Sequence, residues 1–219
     1  MRAGRLRAAT LIEVLICCAL LSFVMTAVVA ALVYCNRYLR SAESKIAAQA
    51  ECLKTSIWLS RSLAESNFDT VVVAPTVGVA FPSPREPGNG VADFDQGALV
   101  WKQTLCCYKV NDANGVPIIV LRSYPYGVPN VKEPWMPSGA DPTRPTVALA
   151  MTTGTIWTRT IARYIRKLEV VKFDPATSPL PPADQVEFLN TCEITIGSFL
   201  PQYGLDYGIE VRTRVRVEN

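Results

Sequence analysis

The chain passes through three hydrophobic patterns in turn. From Thr10 to Val33 nearly every residue is Leu, Ile, Val, Ala, Met, Phe or Cys, and Glu13 is the only formal charge. Ala9 to Val33 is 25 residues, about 37 Å of helix at 1.5 Å per residue, so the run can cross a hydrocarbon core of about 30 Å with some tilt. The apolar region of a secretory signal is only about 7 to 15 residues and ends in a processing site. Here the run continues into a helical pattern instead, which predicts a transmembrane segment over residues 9–35.

The second pattern is amphipathic. Leu39, Ile46, Ala50, Leu53, Ile57 and Ala64 recur at helical spacing, with Arg40, Glu43, Lys45, Glu51, Lys54, Arg61 and Glu65 between them. No Pro interrupts the chain before Pro75. The prediction is one helix from about Thr10 to about Glu65, whose second half, residues 36–66, lays that apolar stripe on the rest of the protein.

From Phe68 onward short β-type runs alternate with Pro and Gly, which predicts a β-rich domain over 67–219. Val71 to Val73 is one run, and Ala98 to Trp101 leads into Leu105 to Val110. Asn111 to Gly115 reads as a turn and Pro117 to Arg122 as the returning strand of a hairpin. Pro82 to Gly97 and Pro125 to Pro145 read as loops, as does Asp174 to Asp184 with its four prolines. Within Thr155 to Phe173, the spacing of Ile161, Tyr164, Ile165 and Leu168 predicts a short helix followed by a strand over Leu168 to Phe173. Val186 to Ile196 and Gly208 to Val217 alternate as strands. In the last, Ile209, Val211, Thr213, Val215 and Val217 share one face, and Glu210, Arg212, Arg214, Arg216 and Glu218 the other. The fold class predicted is α+β: a long N-terminal helix packed on a C-terminal antiparallel sheet domain.

Composition narrows the chemistry. The 22 basic and 19 acidic residues leave a net charge of +3, so no strong field points to nucleic acid. With no His in the chain, imidazole metal sites and His-based triads are excluded. The seven cysteines form no paired C-x-x-C clusters, and neither a metal nor a cofactor is expected. A disulfide between Cys192 and either Cys106 or Cys107 fits an exported domain, with the choice left open by spacing. Asp93, Asp95, Asp141 and Asp184 lie in Pro- or Gly-rich stretches without a nucleophile and base nearby, so no enzyme is expected.

Met1 to Ala8 carries Arg2, Arg5 and Arg7 and no acid, the composition of a segment retained on the cytoplasmic side. Glu13 then stands inside the apolar run, where a charge costs roughly 2.5 to 3.5 kcal/mol at the bilayer centre and less near the interface. Basic leader, Thr10-Leu11-Ile12-Glu13-Val14-Leu15-Ile16, membrane run, amphipathic helix and β-rich domain together resemble the type IV pilin superfamily, which comprises pilins, minor pilins and the pseudopilins of type II secretion.

That resemblance implies a pilin-like fold and a cut by prepilin peptidase between Ala8 and Ala9, followed by N-methylation of Ala9. The family usually has Gly before the cut and Phe after it, where this chain has two alanines; cutting after Gly4 would lose the spacing to Glu13. Glu13 becomes the fifth residue of the mature chain. Its implied role is as assembly and methylation determinant, pairing with the new amine at Ala9 of a neighbouring subunit, since buried charges are tolerable when paired. The size of the globular part and the strand ending at Asn219 resemble minor subunits, the J-type pseudopilins and W-type minor pilins, which implies a tip or assembly-priming role. The implied setting is the bacterial inner membrane, single-pass, with the C-terminal domain periplasmic or extracellular. Implied partners are prepilin peptidase, other pilin or pseudopilin subunits through the helix, the inner-membrane assembly platform and the lipid bilayer. The competing expectation is a single-pass anchored binding domain that never assembles.

Overall fold

The computed structural model describes residues 10–86, 90–129, 131–153, 157–173, 190–202 and 205–217. The chain divides into two compact units, residues 1–45 and 46–219, and one helix, α1 (Leu11–Ala64, 54 residues), contributes to both. Its bounds follow the predicted ones closely because nothing between Thr10 and Ala64 breaks the backbone ladder. In the first unit α1 is the described structure. It is long and apolar enough to cross a membrane, and none of its most apolar stretch is buried within the protein.

In the second unit, residues 46–64 of α1 sit against two antiparallel sheets. The first has the order β1 (Val72–Ala74), β2 (Gly78–Ser83), β5 (Gln103–Asn111), β6 (Pro117–Pro125) and β7 (Trp157–Arg163); the second runs β10 (Leu205–Arg216), β9 (Thr191–Gln202), β8 (Ile165–Phe173). A small hairpin, β3 (Asp93–Asp95) with β4 (Ala98–Val100), is inserted between β2 and β5. The predicted hairpin is β5 with β6, in register from Gln103 opposite Pro125 to Asn111 opposite Pro117. Its turn is held by Asp112, whose Oδ1 accepts from the amides of Asn114 and Val116, at 2.8 and 2.9 Å, while Gly115 takes φ +75°.

The core divides on the alternation of β2, β5 and β6. Val79, Phe81, Leu105, Cys107, Ile119 and Leu121 face one way and join Cys52, Leu59 and Leu63 of α1 and Leu168, Val170, Ile194 and Ile196 of the second sheet. Ala80, Cys106, Tyr108, Ile118 and Val120 face the other way, under α2 (Val147–Thr152). The first sheet is therefore covered on both faces, which is why β5 and β6 read as continuous apolar runs and not as strict alternation. Arg122 caps α2 by donating to the carbonyls of Ala150 and Thr153.

Two expectations are corrected. The helix predicted after Thr155 is absent: residues 157–173 form β7 and β8. Tyr164, at φ +61°, is the corner between them. The corner and a bulge between Ile165 and Lys167 shift the period-two pattern, so Ile161, Ile165 and Leu168 reach the core from two strands at a spacing that imitates a helix. Second, the stripe expected to dock α1 is outward. Ile46, Leu53 and Ile57 are 64%, 49% and 67% exposed, whereas Ala48, Cys52, Thr55, Ser56, Leu59 and Leu63 are buried. The small and polar members of that inner face have specific roles. Ser56 shares a 2.6 Å hydrogen bond with Thr213 of β10, and Thr55 returns its hydroxyl to the Glu51 carbonyl at 2.7 Å.

In the terminal strand the two faces separate as read: Val215 and Val217 are buried, and Glu210, Arg212, Arg214 and Arg216 are exposed. Glu218 lies outside the described residues. Between β2 and β4 the expected loop contains strand β3 and a bridge from Arg85 to Ala92.

Candidate functional site

Glu13 stands in the first turn of α1, with Thr10 as the residue before the helix. The Thr10 amide donates to Glu13 Oε2 at 2.8 Å, and the Thr10 carbonyl accepts from the amides of Glu13 and Val14, at 3.0 and 3.2 Å. This is one half of a capping box: a carboxylate three residues into the helix reaches back to an amide that has no partner in the helix ladder. Negative charge at that end is also favoured by the helix dipole. Thr10-x-x-Glu13 carries this signature in the sequence, and the reading of Glu13 as a lone charge passed over it. Ala8 and Ala9, the implied cleavage and methylation positions, lie outside the described residues.

Further along the apolar run, the polar side chains are satisfied by their own helix. Ser22 donates to the Cys18 carbonyl and Thr26 to the Ser22 carbonyl, each at 2.8 Å. The run therefore needs no water to satisfy either hydroxyl, as a span through hydrocarbon requires.

In the second unit, the outward face of α1 presents Ile46, Ala50, Leu53, Ile57 and Ala64, all exposed. Their steps of four, three, four and seven residues are those of a coiled-coil seam. Beside it Lys54 lies 4.0 Å from Glu51 of the same helix, and Arg61 lies 3.3 Å from Glu65, the residue just after its end. The seam is thus a narrow apolar line with a charge-balanced margin.

The end of α1 is tied to the sheet domain by Glu65, which accepts from Arg85 Nε and Nη2 at 2.5 Å each. These bonds from Arg85 hold the Glu65 carboxyl below its usual range, against the opposing effect of burial. Arg85 also donates to the Gly90 carbonyl at 2.7 Å.

The cysteines considered for a disulfide are all free and buried. Cys106 and Cys107 are neighbours in β5 and so face opposite cores: Cys107 shares the α1 core with Cys52 and Cys192, and Cys106 lies under α2. Burial pushes the Cys107 thiol up to about 12 and Cys192 to about 11, so these are inert thiols packed as small hydrophobes. The expected bridge is not formed in this structure.

The loop acids are occupied in structural contacts. Asp93 pairs with Lys102 at 2.7 Å and Asp95 with Lys132 at 3.3 Å. Asp141 closes its own turn by accepting from the Thr143 amide and hydroxyl and from Arg144 Nε. Asp184 lies outside the described residues. The long segment before α2 is organised by Trp101, Tyr126 and Val131, with the Trp135 ring 4.7 Å from that of Tyr126 and tilted 34° to it.

Comparison with family models, curated proteins and solved structures finds no match for this chain.

Proposed function

We propose that this chain is a structural subunit of a type IV pilus or of a type II secretion pseudopilus, a minor subunit acting at the tip or in priming assembly. In this reading prepilin peptidase removes Met1 to Ala8 at the inner membrane, Ala9 is methylated, and α1 joins the helices of other subunits. The observation that carries it is the state of α1. The helix is continuous for 54 residues, its apolar run is uncovered, and its second half buries one face while exposing the seam at Ile46, Leu53 and Ile57. A membrane covers the first part only. An exposed apolar seam beyond it is what a helix that packs among other helices requires.

The test is a pair of seam substitutions, Leu53→Glu and Ile57→Lys. Both positions face outward, so the melting temperature of the purified chain should stay within a few degrees of wild type. Recovery of the chain with sheared filaments, or with the pseudopilus in a secreting strain, should fall at least tenfold. Undiminished recovery would sink the assembly reading.

One observation favours the alternative of an anchored domain that does not assemble. Glu13 is satisfied within its own chain by the Thr10 amide, so the acid does not by itself demand a neighbour.

A further inference from the structure

Between residues 58–62 of α1 and the edge strand β7 lies a cleft of about 190 Å³. Trp58 and Ser62 line it from the helix, and Trp157 and Arg159 from β7. Leu105 and Leu121, almost fully buried, contribute apolar lining from the sheet. The placement follows from register: Trp157 pairs with Ser123 and Arg159 with Leu121, so both β7 side chains stand on the face that α1 covers further in.

Most polar groups in the cleft are committed elsewhere. Gln103 accepts from the Ser123 hydroxyl and donates to the Arg85 carbonyl, and Arg85 is held by Glu65 and the Gly90 carbonyl. Arg159 is different. It is exposed, lines the cleft and forms no ion pair with any described residue. The Trp157 indole is 38% exposed beside it, a large apolar surface left partly wet at a sheet edge.

The geometry points to a binding site for a ring-sized carboxylate with one apolar face, specifically a hexuronic acid residue of an acidic polysaccharide. The indoles take the C–H face of the ring, as aromatic side chains do when one side of a ligand is apolar and the other wet. The Arg159 guanidinium takes the carboxylate, for which its planar fork is suited. The volume is below the roughly 300 Å³ at which pockets for drug-sized ligands begin, so the cleft holds one ring and not a folded segment. This inference concerns the globular unit and does not rest on filament assembly.

The experiment uses the full chain in lipid nanodiscs, titrated with trigalacturonate and with its methyl ester, which keeps the rings and removes the charge. Binding is read by tryptophan fluorescence and calorimetry. Trigalacturonate should bind at least tenfold more tightly than the ester. Arg159→Gln should abolish that preference, and Trp157→Ala should weaken binding of both about tenfold or more; because both residues are exposed, circular dichroism of the variants should match wild type. Absence of binding, equal binding of acid and ester, or binding unchanged in either variant would overturn the assignment. So would binding of tetraglutamate in place of the saccharide, which would mark the cleft as a peptide site.

Discussion

At the scale of single residues, Glu13 has two separable properties, its charge and its bond to the Thr10 amide. Gln at the same position can still accept from that amide but carries no charge, whereas Ala can do neither. If Glu13 acts in assembly through charge pairing, Glu13→Gln and Glu13→Ala should both lose filament incorporation by a similar factor; wild-type incorporation of Glu13→Gln would reduce the residue to a helix cap. Glu65 gives a second residue-level expectation. Its carboxyl is held below its ordinary value of 4.5 by Arg85, so the folded form binds its proton more weakly than the unfolded chain. The stabilisation is present above pH about 4.5 and fades as pH falls through the lower folded value. Arg85→Ala should cost about 1 kcal/mol at neutral pH, since both groups are partly exposed, and the difference from wild type should shrink in acid melts. Glu13 was legible as an anomaly, but its partner was legible only through the Thr-x-x-Glu spacing. Glu65 and Arg85 are 20 positions apart, and nothing local in the sequence links them.

At the scale of elements, the bounds of α1 were readable because uninterrupted helix formers leave few alternatives, but the face that docks was not. The sequence offers two stripes on the second half of α1, one of Leu and Ile and one of Ala48, Cys52, Thr55, Ser56, Leu59 and Leu63. Close approach to the sheets at Ser56 and Thr213 favours the stripe with smaller side chains, a tertiary fact that hydrophobicity alone does not encode. The β5 and β6 hairpin was readable from its turn, and α2 was not, because six residues give no helical period. The close pairing of β2 with β5 rests on Gly78. A Cβ there would lie 2.2 Å from the Cys107 carbonyl oxygen and 2.6 Å from Tyr108 Cβ, with backbone that cannot give way. Gly78→Ala should therefore destabilise by about 1 to 3 kcal/mol, measured as a lower urea midpoint with an unchanged slope. A wild-type midpoint would mean that the strands separate there without cost.

At the scale of the whole molecule, the α+β class and a helix able to span a membrane were both present in the hydrophobic pattern, in a long apolar run without helix breakers and a β region punctuated by Pro and Gly. The assembly proposal needs more than that pattern. It requires that the uncovered helix be released from a basic leader and given a charged amine that a neighbouring Glu13 can meet. The most direct measurement is the intact mass and N-terminal sequence of the protein extracted from the membranes of its own host. The pilin reading predicts a chain that begins at Ala9 and carries a methylated amine. A chain that retains Met1 to Ala8 would contradict it, leaving a single-pass anchored domain.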